Sequence, residues 1–332
     1  MKQTTQTYLS LPETFHPAST ASGKHPDSSM PRCYSDGRPY YSLNAWLKDQ
    51  FGQKIYKLAL DGGMTCPNRD GTLGTGGCIF CSHGGSGDFA EPAHTSVTEQ
   101  IEAAKARVAN KIKDGKYVAY FQSYTNTYAP VSYLEPLFSE AIAHPDVAAL
   151  SIGTRPDCLP PETVALLSEL AKEKYVSVEL GLQTVHEKTA RAMNRGYDTG
   201  VYFDAVQRLH AAGLETVTHL ILGLPGETEQ DMVESARQVA QAGTEGVKFH
   251  LLHVMADAPL AADYARGAFR CLELEKYGEI LVECLRQFPE STVVHRITGD
   301  GARRGLVAPL WSLDKKRVLN YLNNLLSASG LL

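Results

Sequence analysis

The chain of 332 residues has no run of about eighteen or more apolar residues, the least that spans a bilayer as a helix, so no membrane partner is expected. It also lacks a secretory start. Met1 to Pro17 is polar and broken by prolines where a signal peptide needs an uninterrupted apolar segment, and cytoplasmic residence is the expectation. There is no excess of positive charge: a formal net charge of −5 excludes a broadly basic nucleic-acid-binding surface. Local patches remain, such as Lys315, Lys316 and Arg317, whose ordinary reading is a solvated helix face. Cysteine is scarce at seven residues, and without an export signal these are expected as metal ligands or packing groups rather than disulfides. What is present, 43% hydrophobic and 21% charged residues, describes a soluble globular chain able to form one large domain or two ordinary ones. No internal sequence repeat is visible.

Residues 1 to 38 are rich in Thr, Ser, Pro and His and carry little hydrophobic periodicity, so they are expected to form a flexible tail. From Tyr40 onward short apolar runs alternate with amphipathic stretches. The strand candidates are 57–60, 117–122, 147–152, 176–180, 217–222 and 247–251, and helical patterns cover 97–112, 132–143, 161–174, 200–212 and 229–242. Gly213 and Gly243 follow the last two patterns, as left-handed helix caps should. Repeated strand, helix, strand order predicts parallel strands with right-handed crossovers, and the continuous apolar strands predict a sheet covered on both faces. The expected architecture is α/β: an incomplete (β/α)6 barrel over residues 39–290 with a C-terminal extension, 291–332, packing on it. Chemistry in such a sheet belongs at the carboxyl ends of the strands.

The first strand candidate runs into Cys66, and a glycine-rich loop returns through Cys78 and Cys81, a C-x11-C-x2-C spacing. Three thiolates on one flexible loop can wrap a cubane iron–sulfur cluster, and the glycines let the backbone approach its sulfides. On these residues alone zinc is a competitor, with His83 as a fourth ligand, and such a chain would be a nonenzymatic zinc-binding regulator.

The cluster loop with Phe80 just before its last cysteine resembles the radical S-adenosylmethionine (SAM) superfamily, whose usual first interval is three residues rather than eleven. The long interval resembles the Elongator catalytic-subunit-like branch, and further matches stand at Thr154–Asp157, Val178–Gln183, Asn194–Gly196 and Gly223–Gly226. The likeness covers roughly Tyr40 to Arg304 and is closest to short bacterial members that lack the acetyltransferase domain. It implies a radical SAM barrel, a [4Fe-4S] cluster on Cys66, Cys78 and Cys81, and reductive cleavage of SAM to a 5′-deoxyadenosyl radical. It also implies a reductant such as flavodoxin or ferredoxin. The substrate implied is tRNA, modified on a wobble-uridine C5 side chain; a protein or small-metabolite substrate stays open.

The same likeness puts Glu179 and Gln183 beside SAM, and the alternative for each is a bond to neighbouring backbone. It gives Arg195 a carboxylate to hold, against a surface salt bridge. Gly223 and Gly226 would approach the cofactor. Where many members carry a glycine-glycine-glutamate sequence this chain has Gln122 to Asn126, and Tyr124 and Asn126 are the substitutes expected. No catalytic residue is assigned. Arg155, Asp157, Lys248, His250 and His253 are candidates for the barrel mouth, each against a plain packing role. Cys158 is a weaker candidate for hydrogen donation or a second metal; Cys33, Cys271 and Cys284 read as non-ligating. An RNA-binding patch is expected to include Arg296, Arg303, Arg304 and Lys315 to Arg317.

Overall fold

A computed structural model describes residues 34–85, 95–110, 112, 115–299, 301 and 303–331. The tail expected over 1–38 lies outside the described residues up to 33, Cys33 included. Its last five residues are held in place: the Tyr34 hydroxyl donates to the Glu290 carbonyl at 2.9 Å, and the Tyr34 ring stacks on Tyr41.

The elements run α1 (Leu43–Phe51), β1 (Ile55–Leu60), α2 (Val97–Val108), β2 (Lys116–Phe121), α3 (Val131–Ala143), β3 (Val147–Thr154), α4 (Pro161–Leu170) and β4 (Tyr175–Gln183). There follow α5 (Glu187–Ala192), α6 (Thr199–Ala211), β5 (Glu215–Leu222), α7 (Glu229–Gln241), β6 (Gly246–Leu251), β7 (Val254–Met255) and α8 (Leu260–Ala265). The last are α9 (Leu274–Leu285), β8 (Val293–Arg296), β9 (Leu306–Ala308) and α10 (Lys315–Ala328).

Local chemistry sets these boundaries. Ser96 with Glu99 and Thr228 with Asp231 form reciprocal capping boxes that satisfy the first N–H groups of α2 and α7. After α6 and α7 the chain turns at Gly213 and Gly243, with φ of 74° and 81°, where a side chain would be strained.

One parallel sheet has the order β1-β2-β3-β4-β5-β6-β8, and β7 pairs antiparallel with β9. Strands that follow chain order, with helices in the crossovers, curl into an incomplete barrel, as the sequence predicts. The edges β1 and β8 are not paired. α1 packs against both of them, and the Val294 N–H donates to the Tyr41 carbonyl at 2.8 Å. The sheet has seven strands rather than six, because β8 arises inside the stretch assigned to the extension and pairs with β6. Beyond it, α10 lays Val318, Leu322 and Leu326 onto α9, where Gly278 allows close approach: a Cβ there would stand 2.6 Å from Leu325.

Register brings polar side chains to one level inside the barrel. His219 of β5 pairs with Lys248 of β6, and Lys248 pairs with Arg296 of β8.

Candidate active site

The three cysteines that the spacing singles out line one cavity at the carboxyl end of the sheet, of about 160 Å³. Their loop is shaped by short bonds. The Cys66 carbonyl accepts the N–H groups of Arg69 and Asp70 at 2.8 and 3.2 Å, and the Cys81 N–H donates to the Cys78 carbonyl at 3.0 Å. Asn68 ties this loop to the turn after α5. Its buried amide donates to the carbonyls of Asn194 and Arg195 at 2.7 and 3.0 Å and lies 3.6 Å from the Cys78 sulfur. Asn194 returns the contact through the Gly77 carbonyl at 2.8 Å. At Gly196, with φ of 83°, a Cβ would come within 2.4 Å of the Asn68 side-chain oxygen, so only glycine lets the two segments meet.

Positive charge and donors surround the sulfurs. The Cys78 thiol is pulled down to about 7, first by its bond with the Cys81 thiol, against burial, and then by Arg155, Asn68 and Arg69. The same bond and burial push Cys81 up. Arg155 reaches within 4.0 Å of the Cys66 sulfur while it forks onto Asp157 at 2.9 and 2.8 Å and donates to the Arg195 carbonyl. His83 does not join the group: its side chain is 89% exposed, 3.8 Å from Asp257. That leaves the zinc alternative without its fourth ligand.

Below the cysteines the barrel interior is charged. Glu179 is fully buried and accepts from Lys57, from Lys248 at 2.5 Å, from His219 at 2.7 Å and from Ser151 at 2.8 Å. Burial opposes its ionisation, but the two ammonium groups and His219 outweigh that and hold it well below the usual carboxylate range. Burial pushes Lys248 down to about 7 although Glu179 resists, and it takes His219 down to about 4 with the repulsion of Lys248 added. The Tyr120 ring lies between both lysines, 4.4 and 4.7 Å from their nitrogens, a cation–π arrangement.

Residues 70–239 match the Radical SAM superfamily and residues 244–328 the Radical SAM C-terminal domain. The chain belongs to the radical SAM superfamily. It is a radical SAM enzyme by that membership, and the family implies SAM and a [4Fe-4S] cluster. Among its relatives are the uncharacterised protein YtqA of Bacillus subtilis, 45% identical over 88% of this chain and 90% of the relative, and protein YhcC of Escherichia coli, 39% identical over 86% and 91%. The solved archaeal Methanocaldococcus infernus Elp3 aligns with a TM-score of 0.63 at 17% identity, covering 84% of this chain and 64% of that one, a likeness of fold.

Phe80, Tyr124, Glu179, Gln183 and Arg195 line the cavity with the cysteines. The surroundings of the other expected residues differ. Arg195 is only 2% exposed, and its guanidinium spends all five N–H groups on protein: the carbonyls of Leu182, Thr184 and Tyr197 and the Thr199 hydroxyl. The same guanidinium stands 3.8 Å from the Glu187 carboxylate. Asn126 does not line the cavity: its amide donates to the carbonyl of cavity-lining Gly153 at 2.9 Å, its buried side-chain oxygen has no hydrogen-bond partner, and Thr125 lines the cavity. Gly223 and Gly226 do not line it; φ of 91° and 87° in the turn after β5 accounts for both glycines. Cys158 is buried away from the cavity, its thiol pushed up to about 12 by burial.

Among the described residues the non-glycine left-handed conformations are Tyr124, Gln183 and Asn194, at φ of 55°, 67° and 54°. Two line the cavity and the third braces its loop, the kind of local strain that gathers at functional sites. Reading the sequence missed Lys57, Tyr120, His219 and His295. The available signal was a charged or imidazole side chain inside each of several otherwise apolar strands.

Proposed function

We propose that this radical SAM enzyme holds its cluster on Cys66, Cys78 and Cys81 and modifies a wobble-uridine C5 side chain in tRNA, receiving electrons from a flavodoxin or ferredoxin. The observation that carries the cluster assignment is the convergence of three thiols on one cavity beside the Arg69 and Arg155 guanidiniums and the Asn68 amide. That donor set fits an anionic cluster with one iron left open. When bound, cluster and SAM together supply a 5′-deoxyadenosyl radical, which takes a hydrogen atom from carbon.

The chain's own residues prepare the site for this. Arg155 and the Asn68 amide offset the negative charge on the sulfurs. Phe80, Tyr124 and Tyr197 wall the cavity with aromatic surface and limit water at the place where a radical must survive. The Gln183 side chain folds over Gly181, where a Cβ would stand 2.7 Å from its amide nitrogen, and so offers a polar contact to the cofactor at the end of β4.

Support for RNA comes from two sides. Distant relatives include an archaeosine synthase subunit beta of Thermococcus kodakarensis, 25% identical over 50% of this chain, whose name carries a modified nucleoside, and Elongator complex protein 3 of Schizosaccharomyces pombe, 23% identical over 84%. In an acidic chain, Arg303, Arg304, Lys315, Lys316 and Arg317 are all exposed close in sequence, and such a patch can hold phosphates by releasing counterions. Two measurements test the reading. Anaerobic purification with iron, sulfide and zinc analysis and a reductive SAM-cleavage assay tests the cluster; one zinc and no iron would sink it. Nucleoside analysis of tRNA from strains with and without the gene, beside tRNA binding across a salt series, tests the substrate. An unchanged profile with salt-insensitive or absent binding would refute the RNA reading and leave the radical chemistry standing.

A further inference from the structure

The cavity beside the cysteines adjoins a much larger chamber, about 1150 Å³, and among the walls they share are Phe80, Cys81, Gln183, Lys248, His250 and Arg296. The chamber is cationic. Lys57 of β1, Lys248 of β6, Arg296 of β8, Arg303 and Arg304 of the following loop and Lys315 of α10 all line it, and among the described residues no carboxylate does. Lys57 and Lys248 share Glu179, one of whose oxygens takes Lys57 and Ser151 and the other Lys248 and His219. Two lysine nitrogens thus share one carboxylate, an arrangement that a further anion beside them would complete. Two buried imidazole nitrogens that face the same chamber, Nε2 of His250 and Nδ1 of His295, have no hydrogen-bond partner. The chamber also exceeds what one small ion would fill and suits a ligand of nucleotide size.

We propose that the chamber receives a negatively charged oxygen group of the substrate, carboxylate or phosphate, seated on the Nζ atoms of Lys57 and Lys248 with Arg296 above. The rest of the substrate then extends past Gln183 toward the cysteine-lined cavity, where bound cluster and SAM would supply the radical that takes a hydrogen atom. This placement rests on the radical chemistry of the family and stands whether or not the substrate is RNA. It gives the charged interior a purpose: a fixed anchor at one end aims a carbon–hydrogen bond at the other.

The test uses NMR on the full-length, cluster-loaded protein, with inorganic phosphate followed by its phosphorus line and trifluoroacetate by its fluorine line, and sodium chloride as the ionic-strength control. At least one probe should bind saturably and be displaced by the other, and Lys57→Met should weaken it by about tenfold. Lys57→Met leaves Glu179 paired with Lys248 and His219, so the interior stays neutral. Should that variant nevertheless unfold, the exposed pair Arg303→Ser with Arg304→Ser supplies a second reading and should weaken the same probe. Stronger phosphate binding assigns the anchor to a phosphodiester, and stronger trifluoroacetate binding to a carboxylate on the reacting part. No saturable binding, binding equal to the chloride control, or unchanged affinity in the folded variants overturns the proposal. tRNA binding lost while either probe still binds would count against the RNA reading alone.

Discussion

Replacing Glu179 with glutamine should unfold the barrel's interior more readily than any surface change. The substitution keeps the shape and the bond from Ser151 but removes the negative charge that the Lys57 and Lys248 nitrogens both contact. Breaking a buried ion pair by deleting one partner typically costs about 3–5 kcal/mol, because the remaining charge is left uncompensated. Against a usual total of about 5–15 kcal/mol this is a large share. With a urea slope of about 3 kcal/mol per molar, the midpoint should fall by about 1 M or more. The assay is urea unfolding followed by circular dichroism, for the parent, Glu179→Gln, and a triple variant that adds Lys57→Met and Lys248→Met. The triple variant buries no charge at this point and should recover part of the loss, since a neutral packed core often matches an ion pair. The reasoning fails if Glu179→Gln costs less than about 1 kcal/mol, or if the two lysine substitutions add further loss to it.

Cys66→Ala, Cys78→Ala and Cys81→Ala should each abolish iron loading and SAM cleavage, and Cys271→Ala should spare both; iron analysis after anaerobic reconstitution decides. Arg195→Ala should lower stability and iron content together, because it strands the carbonyls of Leu182, Thr184 and Tyr197 beside the turn that Asn68 braces; normal iron in a fully stable variant would refute that role. Lys248 is held at about 7 in the folded chain, below its ordinary value of 10.5, so between those values the unfolded chain binds more protons. Stability should therefore rise as pH increases from about 7 through the alkaline range, and the part of the rise due to this group should vanish in Lys248→Met, measured as urea midpoints at two pH values.

The parallel strands and the cluster loop were legible because both are written locally. Apolar runs such as Val147 to Ile152 declare a buried strand, and the C-x11-C-x2-C spacing needs no tertiary knowledge. β8 escaped notice because it is four residues long and ends in His295 and Arg296, too short and too polar for a periodicity argument. The charged interior escaped for a different reason. Lys57 and Glu179 lie 122 positions apart and meet only once the sheet curls, so no sequence window contains both. Arg195 was visible as an arginine in a suggestive place, but four of its five bonds depend on backbone carbonyls whose directions the sequence does not state. Gly196 was readable only as part of a motif; its real constraint is the Asn68 side chain that occupies the space a Cβ would need.

The left-handed backbones at Tyr124, Gln183 and Asn194 bear on how this protein would respond to laboratory evolution. Each is held in a conformation that an ordinary side chain resists by about 1 kcal/mol or more. A library selected for heat resistance alone would find these positions easy gains, for glycine at any of the three relieves the backbone. The winners would be sturdier proteins with a slackened cavity wall and a looser cysteine loop. Thermal tolerance and turnover are therefore expected to trade against one another at these sites, and a screen that reads both should recover the original residues.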